Sequence, residues 1–310
     1  MIKIPYARAS FCSEHFIQYY ERRVLNTIHR YDLLKEGDKV LIAVSGGKDS
    51  IALLSVLSRL QKELNIEIVA THINLGIGEF SNVAESIVIK ACNSLGVKYV
   101  IPKVKEVLGA SVPEIASKVR RAVCSVCGVV KRYFINSVAL ALNATSVATG
   151  HNMDDLMSNI IKEFLNMNLA RLNKLIPRTE GIDSLVVGRI RPLYEVTERE
   201  NLIYVLLKKL PFVKVTCPYM NIKGIEFRIK RFLVELDINY PGIRLSFLRK
   251  FSKTRFATEA EEGGIKKCRY CGLISRGNVC SFCRLTKKVF GKALGPEVRG
   301  YIEDLVKILQ

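Results

Sequence analysis

Short apolar runs and amphipathic stretches alternate along the first half of the chain. The apolar runs, bounded by glycine or polar residues, predict buried strands at 39–44, 67–73, 97–104 and 144–150. Apolar residues at helical spacing predict helices at 16–34, 51–64, 81–95, 114–122, 128–143 and 152–166. Because strands that alternate with helices favour parallel pairing, we expect an α/β fold built on a parallel sheet.

The second half of the chain predicts helices rather than strands, at 198–210, 225–238 and near 296–308. A length of 310 residues suggests about two domains. The polar stretch Glu261-Glu262-Gly263-Gly264 is typical of a linker and precedes a cysteine-rich module. We therefore expect an N-terminal segment with one helix at 1–36, a central α/β domain at 37–260 and a C-terminal module at 261–310.

The composition is that of a folded protein with a strong excess of positive charge. Hydrophobic residues make up 49% and charged residues 25%, which excludes disorder of the whole chain. The 48 Lys and Arg residues exceed the 29 Asp and Glu residues by 19, which favours a polyanionic partner such as nucleic acid. No apolar run reaches the roughly 18 residues of a membrane span, and no signal-peptide pattern is visible. We expect a cytoplasmic protein that binds nucleic acid and no membrane.

Nine cysteines, six of them in three Cys-x2-Cys pairs, indicate metal or redox chemistry rather than a disulfide framework. The C-terminal pairs follow the spacing Cys268-x2-Cys271-x8-Cys280-x2-Cys283, which two turns can close around one tetrahedral Zn2+. A module this short needs a metal to fold, so we expect a structural zinc ribbon. Its basic neighbours could lie on RNA phosphates: Lys266, Lys267, Arg269, Arg276 and Arg284.

A phosphate-binding loop is predicted between the first strand and the helix after it. Its sequence is Ser45-Gly46-Gly47-Lys48-Asp49-Ser50, in which two glycines allow a tight turn and several N–H groups can face an anion. Ser45 and Ser50 add hydroxyl donors, and Asp49 is a candidate ligand of a Mg2+ ion held against a phosphate. The spacing differs from the Walker A motif, and the simplest alternative is an ordinary glycine-rich turn.

Three further cysteines form a candidate centre in the middle of the chain. Cys124 and Cys127 lie just before a predicted helix, and Cys217 follows much later. Three thiolates can hold three irons of a [4Fe–4S] cluster and leave the fourth iron open. The alternatives are redox-active sulfur, with a persulfide on one cysteine, and a zinc site completed by a histidine. Lys131 shares a helical face with Cys127, or it is simply solvated beside Arg132.

These motifs together resemble a known family. Ser45–Ser50 resembles the PP-loop of the N-type ATP pyrophosphatases, and Gly150–Asp155 (Gly-His-Asn-Met-Asp-Asp) resembles the G-H-N-x-D-D segment of PP-loop enzymes that thiolate tRNA. The pair Cys124/Cys127 and the distant Cys217 match the cysteines of that group. With its C-terminal four-cysteine module, the chain is similar to the TtuA/NcsA group of tRNA uridine 2-thiolases. The TtcA cytidine thiolases are relatives without that module.

The resemblance implies ATP-dependent chemistry on tRNA. ATP and Mg2+ bind at Ser45–Ser50 beside Gly150 and His151, O2 of a uridine is adenylated, and pyrophosphate is released. Sulfide delivered at the three-cysteine centre, with its [4Fe–4S] cluster, then displaces AMP to give 2-thiouridine. The catalytic residues that it implies besides the cysteines are Lys131, Asp155 and Asp49.

The same resemblance implies partners. It suggests a sulfide donor or a ubiquitin-like thiocarboxylate carrier, and a homodimer. It leaves open whether uridine 34 or uridine 54 of tRNA is modified. Two alternatives from other classes also remain, namely another PP-loop ligase such as a lysidine synthetase, and a non-enzymatic zinc-ribbon RNA-binding protein.

The N-terminus departs from the family pattern. Relatives carry a zinc module of two pairs there, whereas Cys12 and His15 resemble the second pair and no first pair precedes them, so we expect an incomplete module. For RNA, the sequence offers a basic segment at 171–191. A predicted helix could extend this segment into a positive wall beside the active site through Arg228, Lys230 and Arg231.

Overall fold

The computed structural model describes residues 1–257 and 264–309. Its strands are β1 (Ile2–Ile4), β2 (Ala9–Phe11), β3 (Lys39–Ala43), β4 (Glu67–Thr71), β5 (Tyr99–Val100), β6 (Ser146–Thr149), β7 (Arg178–Thr179), β8 (Gly188–Ile190), β9 (Lys266–Lys267) and β10 (Ile274–Ser275). Its helices are α1 (Ser13–Arg30), α2 (Lys48–Leu60), α3 (Gly78–Leu95), α4 (Val104–Leu108), α5 (Val112–Val119), α6 (Val123–Ala141), α7 (Met153–Leu165), α8 (Leu169–Leu172), α9 (Glu198–Leu207), α10 (Ile225–Asn239), α11 (Ile243–Phe251), α12 (Ser281–Phe290) and α13 (Gly295–Lys307). Most of the predicted linker, Glu261 to Gly263, and the predicted domain boundary at 260/261 lie outside the described residues.

A six-stranded sheet forms the centre of the fold, in the order β5-β4-β3-β6-β8-β7. β3 pairs in parallel with β4 on one side and with β6 on the other, and β8 continues the parallel set. β7 runs antiparallel to β8 at the edge. Val40, Leu41 and Ile42 of β3 are completely buried, as expected of a central strand covered on both faces. The predicted α/β fold on a mostly parallel sheet is therefore confirmed.

Helices cover both faces of the sheet. On one face α1, α2 and α9 enclose a core in which Tyr20 stacks on Tyr204, with 4.1 Å between the ring centroids. On the other face α5, α6, α12 and α13 form a second core, which contains the four C-terminal cysteines. Tyr133 of α6 stacks on Phe282 of α12 at 3.9 Å. The cysteine-rich module is thus packed into this second core.

Helix α6 is a core helix of this fold. Among the described residues, it is the one helix long and apolar enough to cross a membrane by length and composition. Its buried residues Val126, Val130 and Phe134 follow helical spacing, and the helix packs against α5, α12 and α13. Packing inside the protein accounts for its apolar side chains.

Helix α6 also begins earlier than the sequence pattern predicts. The predicted helix starts at residue 128, after both cysteines, whereas α6 starts at Val123 and includes Cys124 and Cys127. Gly128 disfavours a helix by about 1 kcal/mol relative to alanine, but the complete burial of Val126 and Val130 outweighs this preference. The interpretation that the two cysteines precede the helix is therefore wrong, because they project from its first turns.

The parallel strands end at one edge of the sheet, where the segments that follow them meet. β3 leads into Ser45–Ser50, β4 leads into His72, and β6 leads into Gly150 and α7. Helix α7 packs against α10, which brings Lys230 to the same edge. Open α/β sheets bind their ligands outside the carboxyl ends of such strands.

Candidate active site

The loop after β3 is shaped by Gly46 and by hydroxyl hydrogen bonds. Gly46 has a φ of +85°, a left-handed conformation that favours glycine. The Ser50 hydroxyl donates to the Gly47 carbonyl at 2.9 Å and accepts from the Ser45 N–H at 3.1 Å. Helix α2 begins directly afterwards, at Lys48. The first N–H groups of α2 therefore have no partner within the helix and can bind an anion, as a phosphate-binding loop requires.

Gly150 lets the end of β6 approach this loop closely. A Cβ at Gly150 would lie 3.0 Å from both the Cα and the N of Ser50. Because those atoms are backbone, they could not move aside for a side chain without shifting the loop. The close approach places the next residues, His151–Asp155, beside the loop.

His151 is neutral at physiological pH in this position. Its Nδ1 lies 2.9 Å from the Thr149 hydroxyl, and the residue is partly accessible to solvent. The protein atoms around the ring displace water, and Arg191 and Arg189 repel a positive charge, so the pKa of His151 falls to about 4.

Carboxylates and lysines alternate across the loop. Lys48 Nζ lies 3.0 Å from Asp49 Oδ2 and 2.7 Å from Glu198 Oε1. Lys230 Nζ lies 3.2 Å from Glu198 Oε2 and 2.5 Å from Asp155 Oδ1. Burial opposes ionisation of Glu198, yet the two lysines hold its pKa below the ordinary value. The network therefore carries one carboxylate suited to Mg2+ at each end, Asp49 and Asp155.

Two asparagines fix the orientation of Asp49. The Nδ2 groups of Asn152 and Asn201 donate to Asp49 Oδ1 at 3.0 and 2.8 Å. Both asparagines are completely buried. Burial raises the pKa of Asp49, while Lys48 and Asn201 favour its charged form. The fold thus presents this carboxylate to the loop in one defined direction.

The adjacent aspartates Asp154 and Asp155 have different surroundings. Asp154 is 4% exposed, forms an ion pair with Arg244, and accepts the Glu198 N–H at 2.7 Å. Asp155 faces Lys230 and the loop, and it also forms a capping box with Asn152 at the start of α7. The first aspartate therefore belongs to the core, and the second is available to a ligand.

A cavity of about 520 Å3 connects the loop with the central cysteines. The loop side is lined by Ser45, Gly47, Lys48 and Asp49, and the opposite side by Cys127, Lys131 and Cys217. A cavity of this size suits a small-molecule ligand such as a nucleotide. The structure therefore brings residues from three distant stretches of the sequence into one space.

Cys127 and Cys217 line this cavity, and Cys124 lies next to them. The exposed Cys124 thiol donates to the Tyr219 carbonyl at 3.1 Å, two residues after Cys217. Burial raises the pKa of the Cys127 thiol, and the neighbouring Lys131 opposes this shift. The other cysteines of the described chain lie in α3, at the exposed N-terminus and in the C-terminal module. Three thiols at one end of a cavity fit a [4Fe–4S] cluster with one iron open to that cavity.

The four C-terminal cysteines converge on one point. Their sulfurs all lie within 4.8 Å of one another, and all four residues are buried. Cys271 Sγ and Cys280 Sγ are 3.8 Å apart, the separation of two tetrahedral ligands that are each about 2.3 Å from a zinc ion. The backbone N–H of Cys280 points at Cys268 Sγ at 3.3 Å, and that of Cys283 points at Cys280 Sγ at 3.4 Å. This donor set fits Zn2+.

The N-terminal pair is isolated. Cys12 Sγ lies 3.1 Å from His15 Nδ1 at an exposed position. Among the described residues, no third ligand of the His, Cys, Asp or Glu type joins them. Two ligands do not complete a tetrahedral site.

Four residues of the site were not predicted as active-site residues from the sequence. Three were not singled out at all, and one was expected to bind RNA. Glu198 and Asn201 of α9 contact the loop residues Lys48 and Asp49. Lys230 was expected in a positive wall for RNA, but its charge is neutralised by carboxylates of the site. His72 is 6% exposed in the cavity wall, with Nδ1 at 2.9 Å from the Val44 carbonyl and Nε2 without a partner in the described structure.

A sheet of this order, with a phosphate loop after its central strand, defines a nucleotide-binding α/β protein. The family model of the PP-loop domain matches residues 17–216. The tRNA-5-methyluridine(54) 2-sulfurtransferase of Pyrococcus horikoshii is 38% identical over 288 residues, which cover 91% of this chain and 89% of that protein. The enzyme of the same name from Thermus thermophilus is 36% identical, over 92% of this chain and 87% of that protein.

A solved structure is also similar. It is the U34-tRNA thiolase NcsA from Methanococcus maripaludis with its [4Fe-4S] cluster, with a TM-score of 0.76 and 28% identity over 91% of this chain and 90% of that one. The chain belongs to the PP-loop family of tRNA 2-thiolases.

Proposed function

We propose that this protein is an ATP-dependent sulfurtransferase that converts a uridine of tRNA to 2-thiouridine. The observation that carries the proposal is the single cavity that joins the phosphate loop to Cys127, Lys131 and Cys217. Activation of O2 and delivery of sulfur to C2 must both occur at one carbonyl group of the base. A shared cavity allows both to reach it.

ATP occupies the loop side of the cavity. The N–H groups at the start of α2 and the Ser45 hydroxyl bind its phosphates, and the Ser50 hydroxyl fixes the loop through the Gly47 carbonyl. Gly150 and His151 border the loop. Asp49 and Asp155 are the residues that would hold Mg2+, which neutralises phosphate charge when bound. O2 of the uridine attacks the α-phosphorus of ATP, an O–P bond forms, pyrophosphate leaves, and the base loses its N3 proton.

Sulfur enters from the cysteine side. Cys124, Cys127 and Cys217 are the residues that would hold a [4Fe–4S] cluster, which supplies an open iron for exogenous sulfide when bound. Attack of hydrosulfide (HS–) on C2 forms the C–S bond and breaks the C2–O2 bond, so AMP departs with the former uridine oxygen. The proton of the hydrosulfide replaces the one that N3 lost. Lys131 lines the same cavity and stabilises the negative charge of the departing AMP.

Uridine 54 is the proposed target. Three relatives named for 5-methyluridine 54 are 34–38% identical to this chain, whereas the U34 thiolase structure is 28% identical. The higher identity supports position 54. Sulfur comes from sulfide or from a ubiquitin-like thiocarboxylate carrier, and the enzyme acts as a cytoplasmic homodimer. The C-terminal cysteines hold one structural Zn2+.

The test is anaerobic thiolation of unmodified tRNA with ATP, Mg2+ and sulfide. Nucleosides from digested tRNA are measured by mass spectrometry, and the modified position is mapped on oligonucleotides. We expect one 2-thiouridine derivative at position 54 and loss of product in Lys131→Ala. Lys90→Ala, an exposed lysine on α3, is the matched control and should retain activity. ATP consumption without a thiolated nucleoside would contradict the proposal.

Metal analysis separates the cluster from persulfide chemistry. We expect about four irons, four acid-labile sulfides and one zinc per chain of anaerobically purified protein. Cys217→Ala should lose iron and keep zinc. Active protein that contains zinc without iron would overturn the cluster assignment and direct the search to a sulfane sulfur on one of the three cysteines.

A further inference from the structure

Three arginines without carboxylate partners lie close together at the carboxyl ends of the parallel strands, on the side of the central cysteines. Arg132 lies on α6, and Arg189 and Arg191 lie on or just after β8. In the described part of the chain, no carboxylate pairs with any of the three. The buried Arg191 donates to two backbone carbonyls, those of Ile176 and Lys174. One of these three cations is buried and the other two border it without a carboxylate, an arrangement that an anion would stabilise.

The spacing of the two elements places Arg132 against Arg189. One turn further along α6, Asn136 donates from Nδ2 to the Leu185 carbonyl and accepts the Val187 N–H at Oδ1, both at 3.0 Å. Arg132 lies four residues before Asn136, on the same face of α6. Arg189 lies two residues after Val187, on the same side of the extended chain. Arg132 is thus one helical turn from Asn136, and Arg189 is one strand repeat from Val187, both in the direction of the carboxyl ends of the strands. The two arginines therefore lie next to each other there.

Gly128 makes room for the Arg132 side chain next to the cysteines. A Cβ at Gly128 would lie 3.1 Å from Arg132 Nη1. The guanidinium therefore extends back along α6 toward its first turns, as helical side chains do. Cys127 is the residue before Gly128, so this positive charge sits beside the cysteine end of the cavity.

The electrostatics of the group favour an anion. Burial and the neighbouring Arg189 lower the pKa of Arg191 to about 10, and burial and Arg132 lower the pKa of Arg189. These shifts express a free-energy penalty that an anion would remove. Arg132 is exposed and Arg189 is half-buried, so both can touch a ligand. The phosphates of ATP already have donors in the Ser45–Ser50 loop, which leaves this group for another phosphate.

We propose that Arg132 and Arg189 bind a phosphate of the RNA backbone beside the cysteine end of the cavity. This inference rests on the proposed function and names residues that hold its RNA substrate. Guanidinium forks match the geometry of phosphate oxygens. A phosphate fixed here orients its nucleotide, so that a base turned out of its stack enters the cavity toward Cys127.

The test measures binding of unmodified tRNA by fluorescence anisotropy at several salt concentrations, with anaerobically purified holoenzyme. For each lost phosphate contact, the slope of log K against log salt should become shallower by about 0.7 to 0.9, which is roughly a fivefold to eightfold weaker affinity at 0.1 M salt. We expect this full change in the double variant Arg132→Gln/Arg189→Gln and a smaller change in each single variant, because both arginines bind the same phosphate. Arg132→Lys and Arg189→Lys keep the charge and should keep most of the slope. Arg59→Gln, an exposed arginine in the last turn of α2 at the opposite edge, is the matched control.

Four results would overturn the inference. They are an unchanged slope in the double glutamine variant, an equal loss in Arg59→Gln, iron loss with unchanged RNA affinity, and weaker ATP binding with unchanged RNA affinity. The third result would assign the arginines to the cluster, and the fourth would assign them to the nucleotide. Because the readout is binding, a protein that shows these contacts but forms no 2-thiouridine would refute the proposed function and leave the phosphate site standing.

Discussion

Replacement of Asp154 by asparagine should lower stability much more than the same change at Asp155. Asp154 and Arg244 form an ion pair in which the side chains are 5% and 7% exposed. Arg244 also lies 2.9 Å from Asp237 Oδ2, and its Nε has no partner in the described structure. Asp154→Asn removes the charge and leaves the buried guanidinium with one carboxylate instead of two.

The expected magnitude follows from burial. Loss of one partner of a buried ion pair costs about 3–5 kcal/mol, and the remaining Asp237 favours the lower end, about 3 kcal/mol. For a chain of 310 residues the shift is roughly 1.5 °C per kcal/mol, so the melting temperature should fall by about 4–5 °C. The pair of Asp155 with Lys230 is more exposed, at 28% and 23%, so its loss should cost about 1 kcal/mol or less.

Calorimetry or circular dichroism of the two variants at pH 7 measures the difference. Asp154→Asn should melt earlier than Asp155→Asn, while Asp155→Asn should lose thiolation activity at nearly unchanged stability. Arg244→Met combined with Asp154→Leu should be less destabilised than the sum of the single variants, because the double change leaves neither of the two charges without the other. Equal melting temperatures for the two asparagine variants would refute the division between a structural and a ligand-facing aspartate.

Three further predictions concern other parts of the molecule. Gly150→Ala should raise the KM for ATP, because its Cβ would lie 3.0 Å from the Ser50 backbone; an unchanged KM in steady-state kinetics would contradict this. Gly295→Ala should release zinc at lower chelator concentration, since its Cβ would lie 2.5 Å from Cys283 Sγ; a release curve identical to that of the wild type would count against it. Burial opposes ionisation of Glu195, but hydrogen bonds from Arg249 and Tyr31 hold its pKa below the ordinary value of 4.5. The ionised Glu195 therefore stabilises the fold fully above pH 4.5, and this stabilisation is lost as the pH falls through the lowered pKa of the folded state. Denaturant titrations should therefore show a destabilisation of Glu195→Gln at pH 7 that shrinks in acid, and a pH-independent difference would refute it.

Long periodic segments and compact motifs were predictable from the sequence. The apolar run at 39–44 and the helical spacing after it correspond to β3 and α2, because a continuous apolar run bounded by glycines marks a buried strand and a long apolar period marks a helix. The four C-terminal cysteines converge as their spacing predicts. The strand predicted at 97–104 shortens to β5, since Pro102 cannot donate to a ladder.

Short elements and distant partners were not predictable in this way. β7 and β8 contain two and three residues, too few for any alternation to show. Helix α12 starts directly after Cys280. The spacing of the metal-binding cysteines there obscures the spacing of apolar residues that would indicate a helix. Glu198 and Lys230 reach the loop through the packing of α9 and α10, which local pattern does not encode. The predicted helix at 198–210 already begins at Glu198, and the capping box from Thr197 to Glu200 supports that start, but neither signal shows that the start of α9 faces the loop.

The fate of the uridine oxygen tests the central claim most directly. An RNA substrate with 18O at O2 of the target uridine is incubated anaerobically with enzyme, ATP and sulfide, and the AMP produced is analysed by mass spectrometry. If the enzyme adenylates O2 and sulfur then displaces AMP, one 18O should appear in AMP for each 2-thiouridine formed. AMP without 18O, formed alongside the thiolated product, would contradict the account, because the base oxygen would then have left by another route.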